Sequence, residues 1–110
     1  MNILLYVYMS KKKSIPSLTG DELARIAGRF KMLGEPMRLK ILQAVCSGPR
    51  RVSDIVTATG ATQANVSRHL SLLAAAGLLT REKDGQCGYY GMKDRLTVRM
   101  CELVRAQLAD

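Results

Sequence analysis

At 110 residues the chain is long enough for one domain and too short for two. Its 47% hydrophobic and 24% charged residues exclude a disordered chain, and one Phe, four Tyr and no Trp imply an aliphatic core of the kind packed helices make. Seventeen Lys and Arg stand against nine Asp and Glu, a net charge of +8 that suits a polyanionic partner, nucleic acid or a membrane surface, though a solvated basic face carries charge just as well.

Three widely spaced cysteines, with no Cys-x-x-Cys pair, speak against a disulfide framework or a zinc knuckle and for a reducing, cytoplasmic setting. With His69 as the single histidine, an imidazole-rich metal site is excluded. No cofactor motif, metal site or phosphate-cradling glycine loop is read, nor a nucleophile–His–acid set, so an enzyme is not expected.

Residues 1–17 read as an N-terminal arm or extra tail, with residues 18–110 as the folded domain. The apolar run Met1–Met9 is far shorter than the ~20 residues of a membrane span. Its basic triplet, Lys11 to Lys13, follows the apolar run, the reverse of a secretion signal. Met9 is an alternative start. Beyond Pro16, Leu23, Ile26, Ala27, Phe30 and Leu33 keep helical spacing, with Thr19 or Asp21 as the cap and Gly34 as the stop. Pro36 then opens a second helix, about Met37–Cys46, apolar on several sides and so central to the core. Ser53 is expected to cap a short helix, Asp54–Thr59, and Gly60 to break the chain. Thr62 caps the next helix, about Gln63–Ala76, ended by Gly77. A short helix, a glycine turn and a second helix make a helix-turn-helix.

After Gly77 the period changes. Leu78–Lys83 and Tyr89–Met92 are expected as strands joined at Asp84-Gly85, with Tyr90 and Met92 facing the core. Asp94 is expected to cap a last helix, about Arg95–Ala109. The fold expected is mainly α with a β-hairpin wing, in the order α-α-α-α-β-β-α.

On a wheel of about 100° per residue, Val66, Leu70 and Leu73 cluster on one arc of the fourth helix, and Ala64, Ser67, Arg68 and Ser71 fall opposite. That outer face is slim enough for a major groove roughly 12 Å wide. Gln63 can offer a bidentate amide to adenine, and Arg68 can reach guanine or phosphate. Arg81, Lys83 and Gln86 put basic and polar groups on the hairpin, where a wing meets the neighbouring groove or its phosphates. His69 lies at the edge of the core arc and reads as a packing residue.

These segments resemble the arsenic-repressor (ArsR/SmtB) family of bacterial winged-helix regulators. The likeness runs from about Leu23 to Leu108. It rests on Leu33-Gly-Glu-Pro-Met-Arg-Leu-Lys-Ile-Leu42, on Thr62-Gln-Ala-Asn-Val-Ser-Arg-His-Leu70, on Leu73-Ala-Ala-Ala-Gly-Leu-Leu79 and on the hairpin ending at Tyr90. The resemblance implies a homodimer joined through the first and last helices, with Leu23, Ile26, Phe30, Leu96, Met100, Val104 and Leu108 at the interface. It also implies a repressor released from an inverted-repeat operator in double-stranded DNA when an inducer binds. By position, Thr62, Gln63, Ala64, Asn65, Ser67 and Arg68 match its DNA-facing residues, and Arg81, Lys83 and Gln86 its wing.

The inducer is not named by the residues. The Cys-x-Cys group that metal-sensing members carry before the reading helix is absent from Arg51–Thr57, and the last helix lacks histidine. Some members pair a cysteine on the second helix, directly after the Ile-Leu, with one on the last to sense oxidants or reactive sulfur; here Gln43 holds the first place, Cys46 follows one turn later on roughly the same face, and Cys101 lies on the last helix. The other reading of this pair is small apolar packing, the usual role of a free cysteine. With Cys87 as a third thiol, a soft-metal or arsenite response is a further alternative. A winged helix used only to dock another protein is the alternative to DNA binding.

Overall fold

The computed structural model describes residues 2–5 and 17–109. Most of the expected arm, including Lys11 to Lys13 and Met9, lies outside the described residues. From Thr19 onward the elements are α1 (Gly20–Leu33), α2 (Pro36–Val45), β1 (Arg50–Arg51), α3 (Val52–Thr59), α4 (Gln63–Ala75), β2 (Leu79–Asp84), β3 (Cys87–Met92) and α5 (Leu96–Leu108). This is the expected mainly helical winged fold with one short strand added between α2 and α3.

Capping chemistry sets most boundaries. Thr19 and Glu22 form a reciprocal capping box at α1: the Thr19 hydroxyl accepts from the Glu22 N–H, and the Glu22 carboxylate accepts from the Thr19 N–H. At α2, Glu35 accepts from the backbone N–H of Arg38 at 3.1 Å, and Pro36 occupies the first helical position, where its missing N–H costs nothing. Gly60, with φ 73°, takes the left-handed position that ends α3 and turns the chain into α4.

Two helix caps differ from expectation. Ser53 does not cap α3; that helix begins at Val52, with Arg51 at the cap position and no side-chain cap bond. The cause is tertiary, because Arg50 and Arg51 pair antiparallel with Tyr90 and Tyr89 and fix the entry to α3 two residues early. At α5, Asp94 still serves the helix start by accepting from the Leu96 N–H at 3.0 Å, but the helix begins at Leu96.

The sheet has the order β1-β3-β2, with β3 in the middle. The hairpin runs from Leu79 opposite Met92 to Asp84 opposite Cys87; its first strand is shifted by one residue from the expected Leu78–Lys83, and its second starts two residues before the expected Tyr89. Its two-residue loop is therefore Gly85-Gln86. Gly85 has φ 64° and no non-glycine residue among the described residues has positive φ, the glycine-first pattern of a II′ hairpin.

The core joins Ile41, Leu42 and Val45 of α2, Ile55 of α3, Val66, Leu70 and Leu73 of α4, and Leu78, Leu79 and Tyr90 of the hairpin base. Met92 packs against this cluster beside Tyr90, as their alternation predicts. Helix α1 contributes no buried residue. No helix among the described residues is long and apolar enough to cross a membrane.

Candidate nucleic-acid interface

Helix α4 is held from behind and open in front. Val66, Leu70 and Leu73 are fully buried, while Thr62, Gln63, Ala64 and Arg68 are exposed. Asn65 and Ser67 are half-buried at the flanks of that open face. The Thr62 hydroxyl accepts from the Asn65 N–H at 3.2 Å and so satisfies one of the free donors at the helix start. Arg68 donates from Nη2 to Asn65 Oδ1 at 2.8 Å, which holds the guanidinium against the outer face instead of leaving it loose in solvent.

The hairpin supplies the second part of the surface. Arg81, Lys83 and Gln86 are exposed, with Gln86 in the loop. Arg81 lies over the buried Tyr90 ring, its guanidinium carbon 5.9 Å from the ring centroid. Tyr89 is half-buried, and its hydroxyl accepts from Arg51 Nε at 3.2 Å. Arg51 is the residue sequence reasoning missed. It reaches the hairpin only through the pairing of a two-residue strand, too short to carry a periodic signal.

His69 is buried more deeply than an edge position implies, at 5% exposure. Its Nδ1 accepts from Arg38 Nε at 3.3 Å, and its Nε2 lies 3.8 Å from Glu35 Oε2. Burial pushes the imidazole pKa below its ordinary value; Glu35 opposes this, and Arg68 and Arg38 reinforce it. Arg38 also donates to the backbone carbonyl of Met32 at 3.3 Å. One guanidinium thus ties the end of α1 and the start of α2 to the middle of α4. A second tie, from Arg29 Nη2 to the Ala76 carbonyl at 3.2 Å, holds the far end of α4 to α1.

The expected interface residues on α1 and α5 face outward. Leu23, Ile26 and Phe30 are 54%, 42% and 58% exposed, and Leu96, Val104 and Leu108 are 61%, 57% and 76% exposed. Met100 is half-buried. Cys46 is half-buried and Cys101 exposed, so neither is the fully buried packing residue of one reading. Both line a largely apolar cavity of about 570 Å3 between α2 and α5, beside Leu39, Val98 and Glu102. Cys87, at the tip end of the wing, is half-buried. No three His, Cys, Asp or Glu side chains gather as a metal cluster among the described residues.

Comparison with known proteins places the chain in a family. The model of the bacterial regulatory protein arsR family matches residues 35–81, from the start of α2 into the hairpin. The chain is 33% identical over 96 residues to a probable mercury resistance operon repressor of Streptomyces lividans, covering 87% of this chain and 74% of that one. Among solved structures it resembles the AntR antimony-specific transcriptional repressor, with a TM-score of 0.76 and 28% identity over 88% of each chain. It also resembles a homodimeric winged helix-turn-helix DNA-binding domain of Mycobacterium bovis, with a TM-score of 0.73 and 28% identity, covering 86% of this chain and 91% of the other.

Proposed function

Since this chain belongs to the ArsR family of bacterial regulatory proteins, DNA-binding transcriptional regulators, we propose that it is a cytoplasmic repressor that binds an inverted-repeat operator as a homodimer. The observation that carries this reading is the open first half of α4. Thr62, Gln63, Ala64, Asn65, Ser67 and Arg68 are presented on a helix anchored from behind by Val66, Leu70 and Leu73. Gln63 reads base edges, Arg68 reads a base or a phosphate, and Arg81, Lys83 and Gln86 follow the adjoining groove.

The homodimer is supported by the exposed apolar faces of α1 and α5 and by the homodimeric relative from Mycobacterium bovis. A two-fold pair of α4 helices presents the same surface twice, which matches a palindromic site. Footprinting on the promoter of the chain's own operon tests this. Two symmetric protected half-sites about one helical turn apart are expected. A single unsymmetric footprint, or none, contradicts it.

For the inducer, the observation that favours a thiol-directed signal is the shared cavity of Cys46 and Cys101. An oxidant, a reactive sulfur species or a soft metal ion that engages both thiols would pull on α2, which packs directly behind α4. Operator release by such an agent that survives Cys46→Ser with Cys101→Ser overturns this part of the reading.

A further inference from the structure

Between the flank of α4 and the hairpin lies an open cleft of about 510 Å3. Arg51, Ser53, Ser67, Ser71, Arg81 and Cys87 line it, with the buried Tyr90 also in its wall. The lining carries two guanidinium groups and three serine hydroxyls, and no carboxylate is among the residues that form it.

Both arginines are held in place by flat supports. Arg51 hydrogen-bonds the Tyr89 hydroxyl through Nε and sits 5.6 Å from the centroid of that ring. Arg81 lies over Tyr90 and along Gly88, where an added Cβ would come within 3.9 Å of its guanidinium nitrogens. Among the described residues neither arginine forms an ion pair, so their terminal N–H groups are not committed to an internal anion. A planar fork of donors beside serine hydroxyls is the donor set that a tetrahedral oxyanion accepts from.

We propose that this cleft seats a backbone phosphodiester of bound DNA, held by Arg51 and Arg81 with Ser53 and Ser71. The inference rests on the DNA-binding reading above and adds Arg51, Ser53 and Ser71 to it. A helix in one groove and a hairpin directed at the next must straddle the strand of phosphates between the two grooves. The cleft lies between that helix and that hairpin. The contact fixes register and carries no base information.

The test is fluorescence anisotropy with an operator duplex and a scrambled duplex of equal length, over a series of salt concentrations. Arg51→Met keeps the aliphatic stem and removes the donors; Arg51 is exposed and makes no side-chain cap bond, so the helix start is retained. Arg51→Met is expected to weaken both duplexes by the same factor. That factor is roughly sixtyfold per dimer at about 0.1 M salt, the counterion-release share of two phosphate contacts, one from each protomer. The slope of log affinity against log salt should fall by about 2. Saturating operator should also shield Cys87 from iodoacetamide, as read by peptide mass mapping.

An unchanged salt slope in a folded Arg51→Met protein, or Cys87 that stays fully reactive in the complex, overturns the proposal. So does inorganic phosphate that stays bound in the saturated operator complex of the wild type and is lost from that of Arg51→Met, as read by phosphorus NMR, since the cleft would then hold free phosphate while DNA is bound. A wild type that does not distinguish operator from scrambled duplex would instead overturn the DNA-reading assignment of α4.

Discussion

Arg38 donates from Nε to Nδ1 of His69 at 3.3 Å, joining the start of α2 to the middle of α4 across 31 positions of sequence. An imidazole that accepts at Nδ1 carries its proton on Nε2 when neutral, the atom that faces Glu35. Protonation of Nδ1 would set two donors against each other. The neutral ring is thus the form this packing holds, in line with its lowered pKa.

The sign of the resulting pH dependence follows from linkage. A base whose folded pKa is depressed contributes stability that is complete above its unfolded value, about 6.5, and is lost as pH falls through the folded value. Urea midpoints are expected to fall as the pH drops from 7 to 5. His69→Phe should flatten that stretch of the profile. Glu35 also has a lowered pKa: partial burial raises it, but the backbone N–H groups of Met37 and Arg38 and the charges of His69 and Arg38 prevail. Its contribution is lost only at lower pH, below the ordinary glutamate range, which leaves the histidine window clear. An unaltered slope in His69→Phe between pH 7 and 5 would contradict this account.

Removing the guanidinium should cost more than an exposed arginine does. Arg38→Leu leaves His69 Nδ1 and the Met32 carbonyl without their partner, a penalty of about 1–3 kcal/mol for stranded buried acceptors. In a double-mutant cycle, adding His69→Phe should recover part of that loss, because the orphaned acceptor is gone. Denaturant unfolding of the four proteins measures the coupling, and strict additivity would show that the two side chains do not act together.

The turn between α3 and α4 depends on backbone conformation alone. A Cβ at Gly60 meets nothing within 4 Å, so the cost of substitution comes from its φ of 73°. Gly60→Ala is expected to destabilise the fold by about 1–2 kcal/mol, and Gly60→Asn by less, since asparagine visits this region more readily. Equal midpoints for the two variants would contradict the explanation.

The outward apolar faces of α1 and α5 give the assembly its own test. Phe30 and Val104 are 58% and 57% exposed, so charge at either place should leave the protomer folded. Phe30→Glu and Val104→Glu are expected to convert a dimer to a monomer in light scattering and to reduce operator affinity by at least tenfold, since half of the contacts then bind alone. A dimer retained in both variants would place the interface elsewhere.

Local chemistry explains why so much of this architecture is legible in the sequence. Thr19, Pro36, Gly60, Thr62 and Gly77 act on the residues beside them, and the buried arc of Val66, Leu70 and Leu73 follows from helical period alone. What escaped is non-local. Strand β1 has two residues and exists only because β3 lies beside it, and through it Ser53 loses the cap position to Arg51. The burial of His69 depends on Arg38, whose distance in sequence leaves no pattern to read. The place of Arg51 beside the hairpin follows from the same unreadable pairing. The open face of α4 was therefore visible from the sequence, whereas the polar groups that brace it and the cleft beside it were not.

Base-edge reading by the first two turns of α4 is tested most directly by the affinity of wild type and Gln63→Ala for an operator duplex and for duplexes changed one base pair at a time. Wild type should prefer the operator over scrambled DNA by at least about 10³-fold, with single changes in each half-site costing about 1–3 kcal/mol. In Gln63→Ala the preference at one symmetric pair of positions should vanish while the others persist. Equal affinity of wild type for operator and scrambled DNA, or an unaltered preference profile in Gln63→Ala, would contradict it.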